Sequence, residues 1–130
     1  MREAHFHLFV YGTLRTGGRA AHLLAGCARV AHGVVQGTLY DIRWEHPALI
    51  LYGDTRVPGE VWRCPASLLG RLDEYEDVAG GLTRRVGVAV DGVGCWVYVA
   101  GPRLAHELTT ARRLASGVWR PSPERTVPSA

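Results

Sequence analysis

Hydrophobic and polar positions along the chain predict a protein built mainly from strands. Short apolar runs and runs of alternating polarity, bounded by glycine and polar residues, are typical of strands in a partly buried sheet. The predicted strands cover residues 7–11, 28–40, 47–52, 57–63, 83–90 and 95–99. Gly33 and Gly37 interrupt the longest strand and indicate bulges or barrel corners. A turn is expected at Gly53-Asp54, and the Asp91-Gly92 pair predicts a tight hairpin.

Three segments with helical character are expected to flank these strands. They cover residues 19–24, 65–77 and 104–115. Strands joined by hairpins, with many glycines and few helices, favour an α+β domain, either a small mixed, strongly curved sheet or a closed β-barrel with two to three flanking helices. We expect one domain over residues 1–120, with Trp119 packed on the core. A flexible, Pro- and Ser-rich tail is expected over residues 121–130.

The second predicted helix places an acidic residue on its apolar side. At about 100° per residue, four side chains define a buried stripe within about 60°: Leu68, Leu69, Leu72 and Tyr75. Glu76 lies about 40° from Leu72, inside this stripe, whereas Glu74 points to solvent. A carboxyl group there needs a partner or a chemical role, because burial raises its pKa above the free value of about 4.3. A salt bridge from Glu76 to Arg84 or Arg85 is the structural alternative to a catalytic role.

The first predicted strand leads into a small loop, Tyr11-Gly12-Thr13-Leu14-Arg15, which is followed by Gly17-Gly18. Glycine lets a backbone approach a ligand closely, and consecutive N–H groups outside any ladder form a concavity suited to a carboxylate or an oxyanion. A tight turn without a ligand is the alternative interpretation. The Gly-Lys-Ser/Thr sequence of a phosphate-binding P-loop is absent.

Composition and charge narrow the class of protein. The chain has 130 residues and is 47% hydrophobic, which is the size of one ordinary domain. All 15 basic residues are arginine, and 12 acidic residues leave a net charge of +3, too small a surplus to indicate nucleic-acid binding. No stretch approaches the roughly 20 apolar residues of a membrane span, and residues 1–5 contain no apolar signal core. A cytoplasmic protein is therefore expected.

Cysteine and histidine spacing argues against a disulfide framework and against a metal site. Cys27, Cys64 and Cys95 are widely and irregularly spaced, a pattern that favours buried free thiols. His5 and His7 share one side of a strand, but no third ligand follows at a recognisable spacing. We therefore expect neither zinc nor another metal to be bound.

Several short motifs occur in order along the chain. They are Val10-Tyr11-Gly12-Thr13-Leu14, Gly37-Thr38-Leu39-Tyr40, Pro47-Ala48, Gly59-Glu60-Val61, Leu72-Asp73-x-x-Glu76, Arg85 and Trp96-x-Tyr98-Val99. This order resembles the γ-glutamylcyclotransferase-like family over about residues 9–119. More narrowly, it resembles the branch that includes AIG2-like proteins, the BtrG-type enzyme and γ-glutamylamine cyclotransferase. The resemblance implies a closed or nearly closed small β-barrel that splits a γ-glutamyl amide into 5-oxoproline and a free amine, without metal or cofactor.

The resemblance also implies roles for individual residues. Tyr11, Gly12, Thr13 and Leu14 would hold the α-carboxylate of the γ-glutamyl group through backbone N–H groups, and Glu76 would be the general acid/base. The implied partner is a small-molecule γ-glutamyl substrate, with neither nucleic acid nor a membrane. A non-catalytic relative that binds a small carboxylate in the same pocket is the alternative, and a glutamate retained on the buried face favours the enzyme.

One position departs from the family pattern. Many members carry a tyrosine seven residues after the glutamate, in Tyr-x-Arg, where this chain has Thr83 before Arg84-Arg85. Either the shorter hydroxyl serves in its place, or another group such as Tyr98 substitutes for it. We therefore expect both Thr83 and Tyr98 to line the substrate site.

Overall fold

The computed structural model describes residues 4–43 and 45–120, which contain five strands and one α-helix. The strands are β1 (His5–Val10), β2 (Ala28–Ile42), β3 (His46–Pro65), β4 (Thr83–Val90) and β5 (Val93–Ala100), and the helix is α1 (Leu69–Tyr75). Short 3₁₀ helices cover Ala21–Leu24, Ala66–Leu68, Pro102–Glu107 and Thr110–Arg112. The tail expected over residues 121–130 lies outside the described residues.

The strands form one mixed sheet in the order β2-β3-β1-β5-β4. β1 pairs antiparallel with β3 and parallel with β5, while the β2–β3 and β4–β5 pairs are antiparallel. The expected α+β class with a mixed sheet is confirmed. The closed-barrel alternative is wrong, because β2 and β4 are the edges of the sheet and no ladder joins them within the described residues. The edges still approach each other, since a Cβ atom on Gly33 of β2 would clash with Val90 of β4.

β1 is the central strand and is covered on both faces. Phe9 belongs to one buried cluster and Leu8 to another, because successive side chains of a strand point to opposite faces. Burial on both faces explains why this strand appears in the sequence as a continuous apolar run. Trp119 completes the Phe9 cluster, and its Nε1–H donates to Asp41 Oδ1 at 2.8 Å. The expectation that Trp119 packs on the core is confirmed.

The hairpin formed by β4 and β5 agrees with its prediction, whereas the turn predicted at Gly53-Asp54 is wrong. Those two residues lie inside β3. The β2–β3 ladder shifts register between Gly37 and Thr38, and residues 51–54 therefore have no ladder partner on β2. The irregularity expected at Gly37 is confirmed, whereas Gly33 pairs regularly.

The helix predicted over residues 104–115 is also wrong, because this segment forms only short 3₁₀ helices. The segment is held against β2 instead. The Leu114 N–H group donates to Leu39 O at 2.8 Å, and Arg113 forms an isolated antiparallel bridge with Tyr40. These contacts with the sheet take the place of the hydrogen bonds that would continue a helix.

We predict that Gly33→Ala lowers the free energy of unfolding by about 1–3 kcal/mol, because the added methyl group must displace the buried Val90 side chain. Gly87→Ala is the matched control, since nothing lies within 4 Å of a Cβ atom at that position of β4. Urea unfolding of both variants measures the difference. Equal stability of the two would show that the edges of the sheet do not approach closely.

Candidate functional site

A cavity of about 250 Å³ lies beside the end of β1. Its walls come from the loop after β1, the start of β3, the end of α1, the start of β4 and the end of β5. Every residue that the sequence analysis assigned to the site lines this cavity: Tyr11, Gly12, Thr13, Leu14, Glu76, Thr83 and Tyr98. This volume lies just below the roughly 300–1,000 Å³ of most ligand pockets, so the cavity can hold only a small ligand.

The loop after β1 contains three backbone N–H groups that have no hydrogen-bond partner among residues 4–43 and 45–120. Its carbonyl groups are engaged, since Arg15 N–H donates to Gly12 O at 3.1 Å and Ala20 N–H donates to Thr13 O at 3.0 Å. The N–H groups of Gly12, Thr13 and Leu14 donate to no residue of the described part. A Cβ atom at Gly12 would lie 2.6 Å from the Cγ atom of Pro47 in β3, so only glycine fits here without displacing the proline ring.

The loop is held in place by Glu60 of β3, which the sequence analysis did not assign to the site. Its Oε1 atom accepts hydrogen bonds from Thr16 N–H at 2.8 Å, Thr16 Oγ1 at 3.3 Å and Trp62 Nε1 at 3.1 Å. Arg29 lies 3.7 Å from Oε2. Burial alone would raise the pKa of Glu60, but the hydrogen bonds and Arg29 outweigh it and lower the pKa. Glu60 is thus an ionised structural anchor.

Glu76 is positioned by the way in which α1 ends. The helix was expected to continue to about residue 77, but it stops at Tyr75. Asp77 N–H donates to Glu74 O at 3.0 Å, Val78 N–H donates to Asp73 O at 3.1 Å, and Asp77 has a φ angle of 50°. This is the Schellman pattern of a helix C-terminus, in which the residue after the C-cap adopts the left-handed conformation. Glu76 occupies the C-cap, so its backbone is fixed.

Burial raises the pKa of Glu76 to about 7. The proposed alternative of a salt bridge to Arg84 or Arg85 is wrong: within residues 4–43 and 45–120, no cationic side chain pairs with Glu76. Arg85 instead binds Asp73 through two hydrogen bonds, at 2.9 and 3.3 Å, and Arg84 is exposed. Glu76 is therefore a half-buried carboxyl group without a counter-ion.

Three hydroxyl groups at the cavity, those of Tyr11, Thr83 and Tyr98, are engaged in internal hydrogen bonds. Thr83 Oγ1 donates to the backbone carbonyl of Glu76 at 2.9 Å, Tyr98 OH donates to Asp73 Oδ1 at 2.7 Å, and Tyr11 OH donates to the Tyr98 carbonyl. Burial first, and nearby carboxyl groups second, raise the pKa of both tyrosines, so neither ionises at neutral pH. Thr83 and Tyr98 thus line the cavity, and their hydroxyl groups hold its walls together.

Three residues with polar side chains line the cavity without having been assigned to it from the sequence: Arg19, His46 and Tyr75. Tyr75, expected on the buried stripe, is 40% exposed and hydrogen-bonds through its hydroxyl to Thr13 Oγ1 at 2.8 Å. Arg19 is exposed and pairs with no residue of the described part, and His46 is half-buried. The Gly-rich segment after the loop could have drawn attention to Arg19. No sequence signal indicated His46.

The described residues contain no group of three or more His, Cys, Asp or Glu side chains that could hold a metal ion. No helix among them is long and apolar enough to cross a membrane.

The fold is shared with several solved structures. A uropathogenic E. coli-specific protein has a TM-score of 0.76 and 24% identity, with 90% of this chain and 94% of that chain covered. An AIG2-like protein from Mus musculus has a TM-score of 0.66 and 22% identity, covering 92% and 97%. A structure named γ-glutamyl cyclotransferase has a TM-score of 0.64 and 24% identity, covering 75% and 67%. At these identities the likeness establishes the fold.

The family assignment comes from the sequence itself. The profile of the family described as "Gamma-glutamyl cyclotransferase, AIG2-like" matches residues 8–121. The chain therefore belongs to this family, in agreement with the resemblance of its motifs. No protein of curated function matches the chain significantly.

We predict that the protein loses stability relative to Glu76→Gln as the pH rises from about 4.5 to about 7. The folded-state pKa of Glu76 is raised above its unfolded value, so in this window the folded protein holds a proton that the unfolded chain has released. The free energy of unfolding therefore falls across the window, by about 1–3 kcal/mol in total, and the effect is complete above it.

Urea unfolding of both proteins at a series of pH values tests this expectation. Glu74→Gln is the control, because Glu74 is exposed on the same helix and its replacement should leave the profile of the original protein unchanged. Parallel profiles for the original protein and Glu76→Gln would contradict the raised pKa.

Proposed function

We propose that the protein is a γ-glutamyl cyclotransferase that releases 5-oxoproline and a free amine from a γ-glutamyl amide. The observation that carries this proposal is a carboxyl group with a pKa of about 7 that shares a small cavity with three free backbone N–H groups. The first feature suits proton transfer near neutral pH, and the second suits a carboxylate ligand. Family membership supports the same reaction type.

In the proposed reaction, the α-amine of the substrate attacks its own γ-carbonyl carbon. A new C–N bond closes the five-membered ring, and the original amide C–N bond breaks. The α-amine must lose a proton and the leaving amine must gain one. Glu76 accepts the first proton and delivers the second, so the carboxyl group returns to its starting state within one turnover.

The loop provides the proposed binding site for the substrate's α-carboxylate. Free N–H groups of Gly12, Thr13 and Leu14 are hydrogen-bond donors, and the Arg19 guanidinium adds a positive charge at the same cavity. Arg19 is close to these donors because the next residue, Ala20, bonds to Thr13 O. Fixing the carboxylate selects the folded-back conformation of the substrate, and because ring closure is intramolecular, this positioning supplies much of the rate.

A non-catalytic protein that binds a small carboxylate in the same cavity is the second candidate. The free N–H groups alone would support binding without turnover. Glu76 favours the enzyme, because a binding protein gains nothing from a carboxyl group held without a counter-ion beside an anionic ligand. Measuring 5-oxoproline release over a panel of γ-glutamyl amides separates the two candidates.

We predict that Glu76→Gln retains the fold and substrate binding but lowers turnover by about two to four orders of magnitude, the range for loss of a general acid/base. Glutamine preserves the shape of the side chain but cannot carry the proton. The measurement is 5-oxoproline release, with circular dichroism to confirm the fold.

Glu74→Gln is the matched control and should turn over normally, since Glu74 is exposed and does not line the cavity. Normal turnover by Glu76→Gln would exclude Glu76 as the acid/base.

We predict that 5-oxoproline binds at the loop and that Arg19→Gln weakens its binding by about 2- to 5-fold, the loss expected for an exposed ion pair. Nitrogen-15 NMR titration should shift the amide signals of Gly12, Thr13 and Leu14 most strongly. Arg84→Gln is the control, because Arg84 is exposed and lies outside the cavity. Unshifted loop signals at saturation would rule out the loop as the carboxylate site.

A further inference from the structure

Two of the three cysteines lie at one end of the β2–β3 ladder: Cys27 immediately precedes β2, and Cys64 is the penultimate residue of β3. Ala28 of β2 pairs with Arg63 of β3, and one further step along the two antiparallel chains places Cys27 opposite Cys64. Directly opposed residues have Cα atoms about 4.5–5.5 Å apart and side chains on the same face of the sheet. A disulfide needs a Cα separation of about 4.4–6.8 Å. Continuing the ladder by this one pair gives the two cysteines the spacing that a disulfide needs, and the Cys27 thiol is indeed a side-chain partner of Cys64.

The surroundings of the two thiols agree with this placement. Cys64 is fully buried in the cluster that contains Leu8 and Leu72, and Cys27 packs against the same cluster. Burial and then the adjacent Cys27 thiol raise the pKa of Cys64. Cys27 itself is half-buried, so it is the thiol that a reagent in solution can reach. Cys95 is buried in the other cluster, on the opposite side of the sheet.

We propose that Cys27 and Cys64 are a dithiol site that forms a reversible disulfide by exchange with a low-molecular-weight disulfide, RSSR. In the first step the Cys27 thiolate attacks RSSR, forms the mixed disulfide Cys27–S–S–R and releases one thiol RSH after protonation. In the second step the Cys64 sulfur gives up its proton, attacks the Cys27 sulfur and expels the second RSH. The two cysteines are oxidised together by two electrons, and RSSR is reduced to two RSH.

The disulfide has a defined consequence for the scaffold of the cavity. It closes the whole β2–β3 hairpin, whose β3 strand carries Glu60 and pairs with β1. Leu72 of α1 packs in the same cluster as Cys64. Cross-linking across a long loop restricts the unfolded chain, so the oxidised protein should unfold at a higher temperature than the reduced protein. The expected rise is roughly 5 °C or more.

The test is incubation of the reduced, folded protein with glutathione disulfide, followed by alkylation, trypsin digestion without reduction, and mass spectrometry. Cleavage after arginine yields one peptide of residues 20–29 with Cys27 and another of residues 64–71 with Cys64. The expected result is a linked pair of these two peptides, which dithiothreitol separates, together with the higher unfolding temperature. Cys95→Ser should give the same linked pair.

Cys27→Ser, a change at the half-buried position, should abolish both the linked pair and the rise in unfolding temperature. Three results would overturn the proposal: a mixed disulfide of Cys27 with glutathione that does not proceed to Cys64, a link through Cys95, or thiols that stay unreacted in the folded protein. All readouts are independent of 5-oxoproline release, so they test the dithiol separately from the proposed enzyme activity.

Discussion

The carboxylate of Asp73 fixes the position of the Arg85 guanidinium, the cation that was the alternative partner of Glu76. It accepts two hydrogen bonds from Arg85 and one from Tyr98 OH, and the Arg85 guanidinium also lies over the Trp96 ring, 4.3 Å from its centroid. Because Asp73 and the indole ring hold this cation, it does not pair with Glu76. Burial then acts on Glu76 unopposed and raises its pKa to about 7.

The loop and the end of α1 come from distant parts of the chain and meet through a few specific contacts. The loop follows directly from β1, the central strand of the sheet. Its first residue is Tyr11, whose hydroxyl donates to the Tyr98 carbonyl of the parallel neighbouring strand β5. The bond between Thr13 and Tyr75 joins the loop to the residue before Glu76. The proposed carboxylate site and the proposed acid/base thus belong to one hydrogen-bonded framework, which fixes their relative positions without a substrate.

Local signals in the sequence predicted the parts of the fold that local chemistry decides. The Asp91-Gly92 hairpin formed as expected, since both residues adopt positive φ angles that this pair tolerates. The segment over residues 104–115 did not, because its spacing is helical but its backbone bonds to Leu39 and Tyr40 of β2. A pattern read along the chain contains no information about such a distant partner.

The candidate site likewise combines features that local sequence predicts with features that depend on distant contacts. The apolar phase of the second helix brought Glu76 to attention. Leu72 is buried as that phase predicts, whereas Tyr75, placed on the same stripe, is 40% exposed. From the sequence, either Asp73 or Glu76 could be the partner of Arg85. Only the three-dimensional structure shows that Arg85 binds Asp73. Arg19 lies in the segment after β1 and His46 begins β3, and no periodicity in the sequence indicates that either residue lines the cavity.

Thr83 shows how this chain differs from many of its relatives at a fixed backbone position. A tyrosine there would carry its hydroxyl well beyond the reach of a threonine side chain. The threonine hydroxyl bonds to the backbone carbonyl of Glu76 instead. This bond fixes the C-cap from the β4 side, while the Schellman hydrogen bonds fix it from the helix side. The shorter side chain therefore leaves unfilled the space that a tyrosine ring would occupy, and its hydroxyl still restrains the backbone of Glu76 at the edge of the cavity.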